Sequence, residues 1–103
     1  MKKNKNMPDQ HSIKLNDAKT LTSRYRDSVS DETIRAFKFE RSAITELFAQ
    51  DDVAGLRVYL GREPDGSLQA VLVATNSEGR DITDVVMNHA SRCPANCDQN
   101  SGL

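Results

Sequence analysis

Cys93, Pro94, Ala95, Asn96 and Cys97 form the most chemically distinctive run in the chain. His89 lies four residues before Cys93, so His89, Cys93 and Cys97 recur at i, i+4, i+8. On an unbroken helix that spacing would align three metal ligands. Pro94 argues against such a helix, because proline removes a backbone donor and clashes with the preceding turn. Three ligands also fall one short of the four that structural zinc takes, so Asp84 or Asp98 would have to complete the set. The cysteines are separated by three residues, not by the two of thioredoxin-like redox motifs. Three states are open for the pair: reduced thiols packed in a proline-shaped turn, a short-loop disulfide, or a zinc site shared with His89. A cytosolic setting favours the reduced thiols.

Asp51 and Asp52 could pair carboxylates for acid–base work, but adjacent carboxylates in a loop ordinarily do no more than solvate it. There is no G-x-S-x-G elbow and no phosphate-cradling glycine loop; Gly61, Gly66 and Gly79 stand alone. Two basic–aromatic groupings occur, Arg24-Tyr25-Arg26 and Arg57 with Tyr59, of the kind that can touch phosphate or stack on a base. With 14 Lys and Arg against 15 Asp and Glu the formal net charge is -1, which gives no steering field toward a polyanion. Nucleic acid is therefore not an expected partner. The arginines read as solvated, or paired with Asp27, Asp31 or Asp81. No catalytic residue can be assigned, and the chain reads as a non-enzyme.

The elements that must position these residues follow from periodicity. Asn16 and Asp17 are good N-caps, and Ala18, Leu21, Tyr25 and Val29 recur at helical spacing after them, which predicts a helix over about 17–28 with Tyr25 in the core. Ala36 to Phe39 reads as extended. Ala43, Ile44, Leu47 and Phe48 then form the apolar stripe of a helix from about Arg41 to Ala49. Between Gly55 and Gly79 the pattern alternates. Leu56, Val58 and Leu60 face one way, Arg57 and Tyr59 the other. Glu63-Pro64-Asp65-Gly66 is a turn with a mechanism: proline presets φ, aspartate bonds back to the backbone, and glycine takes the left-handed position. Leu68, Ala70, Leu72 and Ala74 share one face of the next strand, with Val71 and Val73 on the other. A strand apolar on both faces is central. A second turn at 76–79 leads into a short third strand, Arg80 to Thr83. Asp84 is expected to cap a short helix through Met87, and Pro94 to end it.

The chain's 103 residues suffice for one small domain. No apolar run approaches the roughly 20 residues of a membrane helix. The first 14 residues carry four lysines against one aspartate, without the apolar stretch of an export signal. They read as a disordered basic leader, and the protein is expected in the cytoplasm. Residues 15–92 are expected to form a single domain, followed by a cysteine-containing tail over 93–103.

Three features together resemble a group of small uncharacterised bacterial proteins from the Bacteroidota. They are Tyr25-Arg26 on the early helix, the G-[LI]-R-[VI]-Y strand from Gly55 to Tyr59 leading into a hairpin, and the closing C-P-x-x-C from Cys93 to Cys97. The resemblance spans about residues 15–97. It implies a compact intracellular domain and brings no activity, cofactor or catalytic residue.

The expectation is thus an α+β fold, a small antiparallel β-meander of two to three strands packed against two to three helices. A domain with 5% aromatic residues has a thin core that association would help to stabilise. The functional reading is a non-catalytic protein-interaction module without a cofactor, self-associating through a sheet edge or an exposed face of Val71 and Val73 with Tyr59 as anchor. An unknown protein partner is the other candidate, and no membrane is involved. The alternative is a metal- or thiol-responsive protein using Cys93, Cys97 and His89, with zinc as the metal.

Overall fold

The computed structural model describes residues 9–103. Most of the basic leader expected over 1–14 lies outside the described residues. The fold is α+β, with the order α1 (Leu15–Ser28), β1 (Ala36–Lys38), α2 (Arg41–Phe48), β2 (Val53–Arg62), β3 (Leu68–Asn76), β4 (Asp81–Met87) and β5 (Ser91–Cys93). Strands β2-β3-β4 form an antiparallel meander, and β1 pairs with β5 in a second antiparallel sheet. The backbone divides into two compact units, the residues up to Asp31 with Asp98–Leu103, and Glu32–Cys97.

In the first unit α1 starts earlier than expected, with Lys14 in the N-cap position and no side-chain cap. The Arg26 guanidinium donates to the backbone oxygens of Leu103 and Gly102. The expectation that this helix buries a face is corrected, because it contains no buried residue and Tyr25 and Leu21 are exposed. At 3.6 residues per turn Leu21 and Tyr25 stand about 40° apart, so the stripe that the spacing predicts is present but is left exposed.

In the second unit β3 is the centre. Ala70, Leu72, Val73, Ala74 and Thr75 are buried, so both faces of the strand are covered, as a central position requires. Helix α2 lies against β3 and β4 and contributes Leu47, which is fully buried. The expected helix and extended segment around it are present, although Phe48 is 48% exposed rather than buried.

Both turns form where expected, the first with its aspartate and glycine in the anticipated roles. Gly66 has φ 88° and donates to Glu63 O at 2.8 Å, while the Asp65 carboxylate accepts from both the hydroxyl and the backbone N–H of Ser67. Those two bonds, the hydroxyl first, hold the Asp65 carboxyl below its ordinary range. In the second turn Asn76 Oδ1 accepts from the N–H groups of Glu78 and Arg80.

The helix expected after Asp84 is also corrected, because β4 runs on to Met87. Ile82, Thr83, Val85 and Val86 are β-branched and suit a pleated surface. The strand meets β3 in two registers: Thr75 opposite Asp81 and Ala74 opposite Ile82, then Val73 opposite Val86 and Leu72 opposite Met87. Thr83, Asp84 and Val85 bulge out between them. A further strand that the sequence does not announce follows: Ser91–Cys93 pair with Ala36–Lys38, and the Arg35 N–H extends the pairing to Cys93 O at 2.7 Å.

Candidate functional site

Directly opposite residues in an antiparallel sheet share a face, so the register sorts the meander's side chains. One face carries Arg57 opposite Val73, Tyr59 opposite Val71, and Asp81 opposite Thr75. Arg57 Nη1 meets Asp81 Oδ1 at 2.6 Å, and the Tyr59 hydroxyl donates to Asp81 Oδ2 at 2.5 Å. Arg57 also reaches Gly79 O at 3.3 Å. These groups span β3 on the face that holds Val73 and Thr75. The Tyr59 hydroxyl and the Asp81 carboxylate together raise the affinity of Arg57 for its proton. The cluster is therefore a fixed cation–carboxylate–phenol bridge. Its arginine is already neutralised, which agrees with the expected pairing to Asp81.

This bridge corrects the expectation of an open valine face. Val73 is 4% exposed and Val71 is half-buried, so of the anticipated contact residues only Tyr59 stands out from the surface. Three exposed apolar groups lie together on the opposite face of β2, and Val86, opposite Val73, is also exposed. Leu56, Val58 and Leu60 are 40%, 54% and 73% exposed, although their opposite numbers Ala74, Leu72 and Ala70 on β3 are buried. Among the described residues β2 has a strand partner, β3, on one side only, so its other edge carries backbone N–H and C=O groups that no described strand pairs. At its head an open cavity of about 300 Å³ is lined by Phe48, Val53, Ala54 and Gly55. Nothing in that lining can act as an acid, a base or a nucleophile.

Alternation in the sequence places Leu56, Val58 and Leu60 on one face, and their exposure follows from topology. The first strand of a meander has only one neighbour.

Cys93 and Cys97 are placed as a disulfide with Cα atoms 4.9 Å apart, the geometry of the second of the three states. Cys93 is buried in β5 and Cys97 is half-buried, with the Arg35 Nη2 3.8 Å from its Sγ. His89 is exposed in the loop after β4 and has φ 59°. Among the described residues no group of three or more His, Cys, Asp or Glu is placed to hold a metal ion. Asp51 and Asp52 are exposed, and Asp52 accepts from the Ser77 hydroxyl at 3.2 Å. Among the described residues no helix is long and apolar enough to cross a membrane. No protein-family model, curated protein or solved structure matches the chain.

Proposed function

We propose that the protein is a non-catalytic interaction module that associates with itself. The observation that carries the reading is β2, a ten-residue strand with one edge that no strand among the described residues pairs and three large apolar side chains exposed on one face. Exposed apolar stripes beside unpaired backbone groups are the ordinary substrate of strand and sheet association. The titratable groups nearby are already committed to one another, which supports a binding role over a chemical one. Sedimentation velocity on the unmodified chain tests this. A dimer at tens of micromolar is expected, and a monomer at that concentration would overturn it.

One observation favours a second reading, a thiol-responsive role in the cytoplasm. The Cys93–Cys97 disulfide sits with one sulfur half-buried beside a guanidinium. A dithiol donor would reduce it to two thiols while becoming a disulfide itself. A reducing cytoplasm would hold the pair as thiols. Mass measurement of the intact protein from cells lysed into alkylating reagent separates the states, since only free thiols take the label.

A further inference from the structure

Resting on the self-association proposed above, we infer that two copies join along β2 itself, antiparallel about a two-fold axis at Val58. The two three-stranded meanders become one sheet of six strands. The sequence of the strand selects this partner. Gly55-Leu56-Arg57-Val58-Tyr59-Leu60-Gly61 is close to palindromic about Val58. In an antiparallel pairing centred there, Val58 faces Val58 of the second copy, Leu56 faces Leu60, and Gly55 faces Gly61. The apolar stripe thus meets itself on one side of the sheet.

On the other side Arg57 faces Tyr59, a guanidinium beside a phenol ring. Each Arg57 is already paired with Asp81 of its own copy, so the approach of two arginines is compensated in advance. Shifting the axis by one residue exposes the defect of other registers. Centred on Arg57, the pairing sets Arg57 against Arg57; centred on Tyr59, it sets Leu56 against Arg62.

The remaining edges are poor competitors. The three-residue bulge over 83–85 breaks β4, and β1 and β5 are three residues each. Gly55 to Arg62, in contrast, holds an unbroken register with β3 and contains no proline. Natural edges are protected by bulges, prolines and shortness; the one register shift in β2 falls between Val53 and Gly55, before the stretch that would pair. Because the interface uses the same edge from both copies, it closes at two.

The register is tested with Leu56→Glu and Leu60→Lys, both at exposed positions. Each variant alone sets a charge against leucine twice per dimer and is expected to sediment as a monomer with an unchanged far-ultraviolet circular dichroism spectrum. An equimolar mixture of the two is expected to dimerise. It places the introduced carboxylate opposite the introduced ammonium and leaves the native leucines opposite each other at the second site. Mixing Leu56→Glu with Leu60→Glu should give no dimer. If the unmodified chain dimerises but the complementary mixture stays monomeric, self-association stands and the β2 pairing falls. If the unmodified chain is itself monomeric, both fall. Hydrogen exchange on the unmodified chain needs no variant. Amides of residues 55–61 should become protected between dilute and concentrated samples, and a dimer that leaves them unchanged overturns the pairing.

Discussion

Gly55 is a glycine because of its neighbour across the ladder. A Cβ there would stand 2.9 Å from Thr75 Oγ1, closer than side chains normally approach, so the buried Thr75 would have to shift. Gly61, six residues along the same strand, has open space where its Cβ would be. Gly55→Ala should therefore cost about 1–3 kcal/mol by overpacking, while Gly61→Ala should be near neutral in urea denaturation. Equal effects at the two positions would mean that the close approach is not what constrains Gly55. Leu72, buried on β3, should cost about 2–5 kcal/mol on replacement by alanine, the usual range for a core leucine. Asp65 makes a pH prediction. Its folded carboxyl titrates below the ordinary aspartate value because Ser67 bonds to the charged form. A depressed acid contributes stability that is fully present above its unfolded pKa and is lost as pH falls through the folded one. Unfolding midpoints measured from about pH 5 downward should thus decline less steeply in Asp65→Asn than in the unmodified chain. An identical acid slope would show that the Ser67 bonds carry no linkage.

The elements differ in how far local pattern decides them. The Pro-Asp-Gly turn, the strands on either side of it, the brief extended segment at 36–38 and helix α2 are all legible, because each is set by neighbours in sequence. The far half of β4 is not. Asp84 is a good cap for a helix, and the pull toward a strand comes from β3, which offers Val73 and Leu72 as partners to Val86 and Met87. β5 is hidden for the same reason, since its partner Ala36–Lys38 lies more than fifty residues back. In the candidate site the alternation of Leu56, Val58 and Leu60 was plain, but their exposure depends on what covers the sheet. The Arg57–Asp81 pair could be anticipated only as one option among three aspartates. The two-stranded sheet yields its own prediction. Strands of three residues have little independent stability, and the disulfide ties Cys93 at the end of β5 to the turn that follows. For so short a loop the chain-entropy model gives about 2 kcal/mol. Reduction should therefore speed hydrogen exchange at residues 35–38 and 91–93 while amides in 70–75 stay protected. Uniform loss of protection across both sheets would show that they unfold as one.

For the whole molecule, charge decides how an assembled form should respond to its surroundings. The formal net charge is -1, and the isoelectric point is about 6.1. Two copies near neutral pH therefore repel one another weakly, and there is little long-range field for salt to screen. The β2 pairing brings main-chain hydrogen bonds and apolar groups together, and neither responds strongly to ionic strength. The nearest full charges, Arg57 and Asp81, are already paired within each copy at 2.6 Å. Raising salt from about 0.05 M to 0.5 M shortens the screening length to a few ångströms, which removes most surface electrostatics. The dissociation constant from sedimentation equilibrium should nevertheless change by less than about threefold, under 1 kcal/mol. An interface built on opposite charges, such as the arginines of α1 docked on acidic loops, would weaken by far more over the same range. A steep salt dependence would therefore move the contact away from Leu56, Val58 and Leu60 and onto the charged surface. A shift toward tighter association at high sulfate, with chloride nearly inert, is the pattern expected of apolar burial.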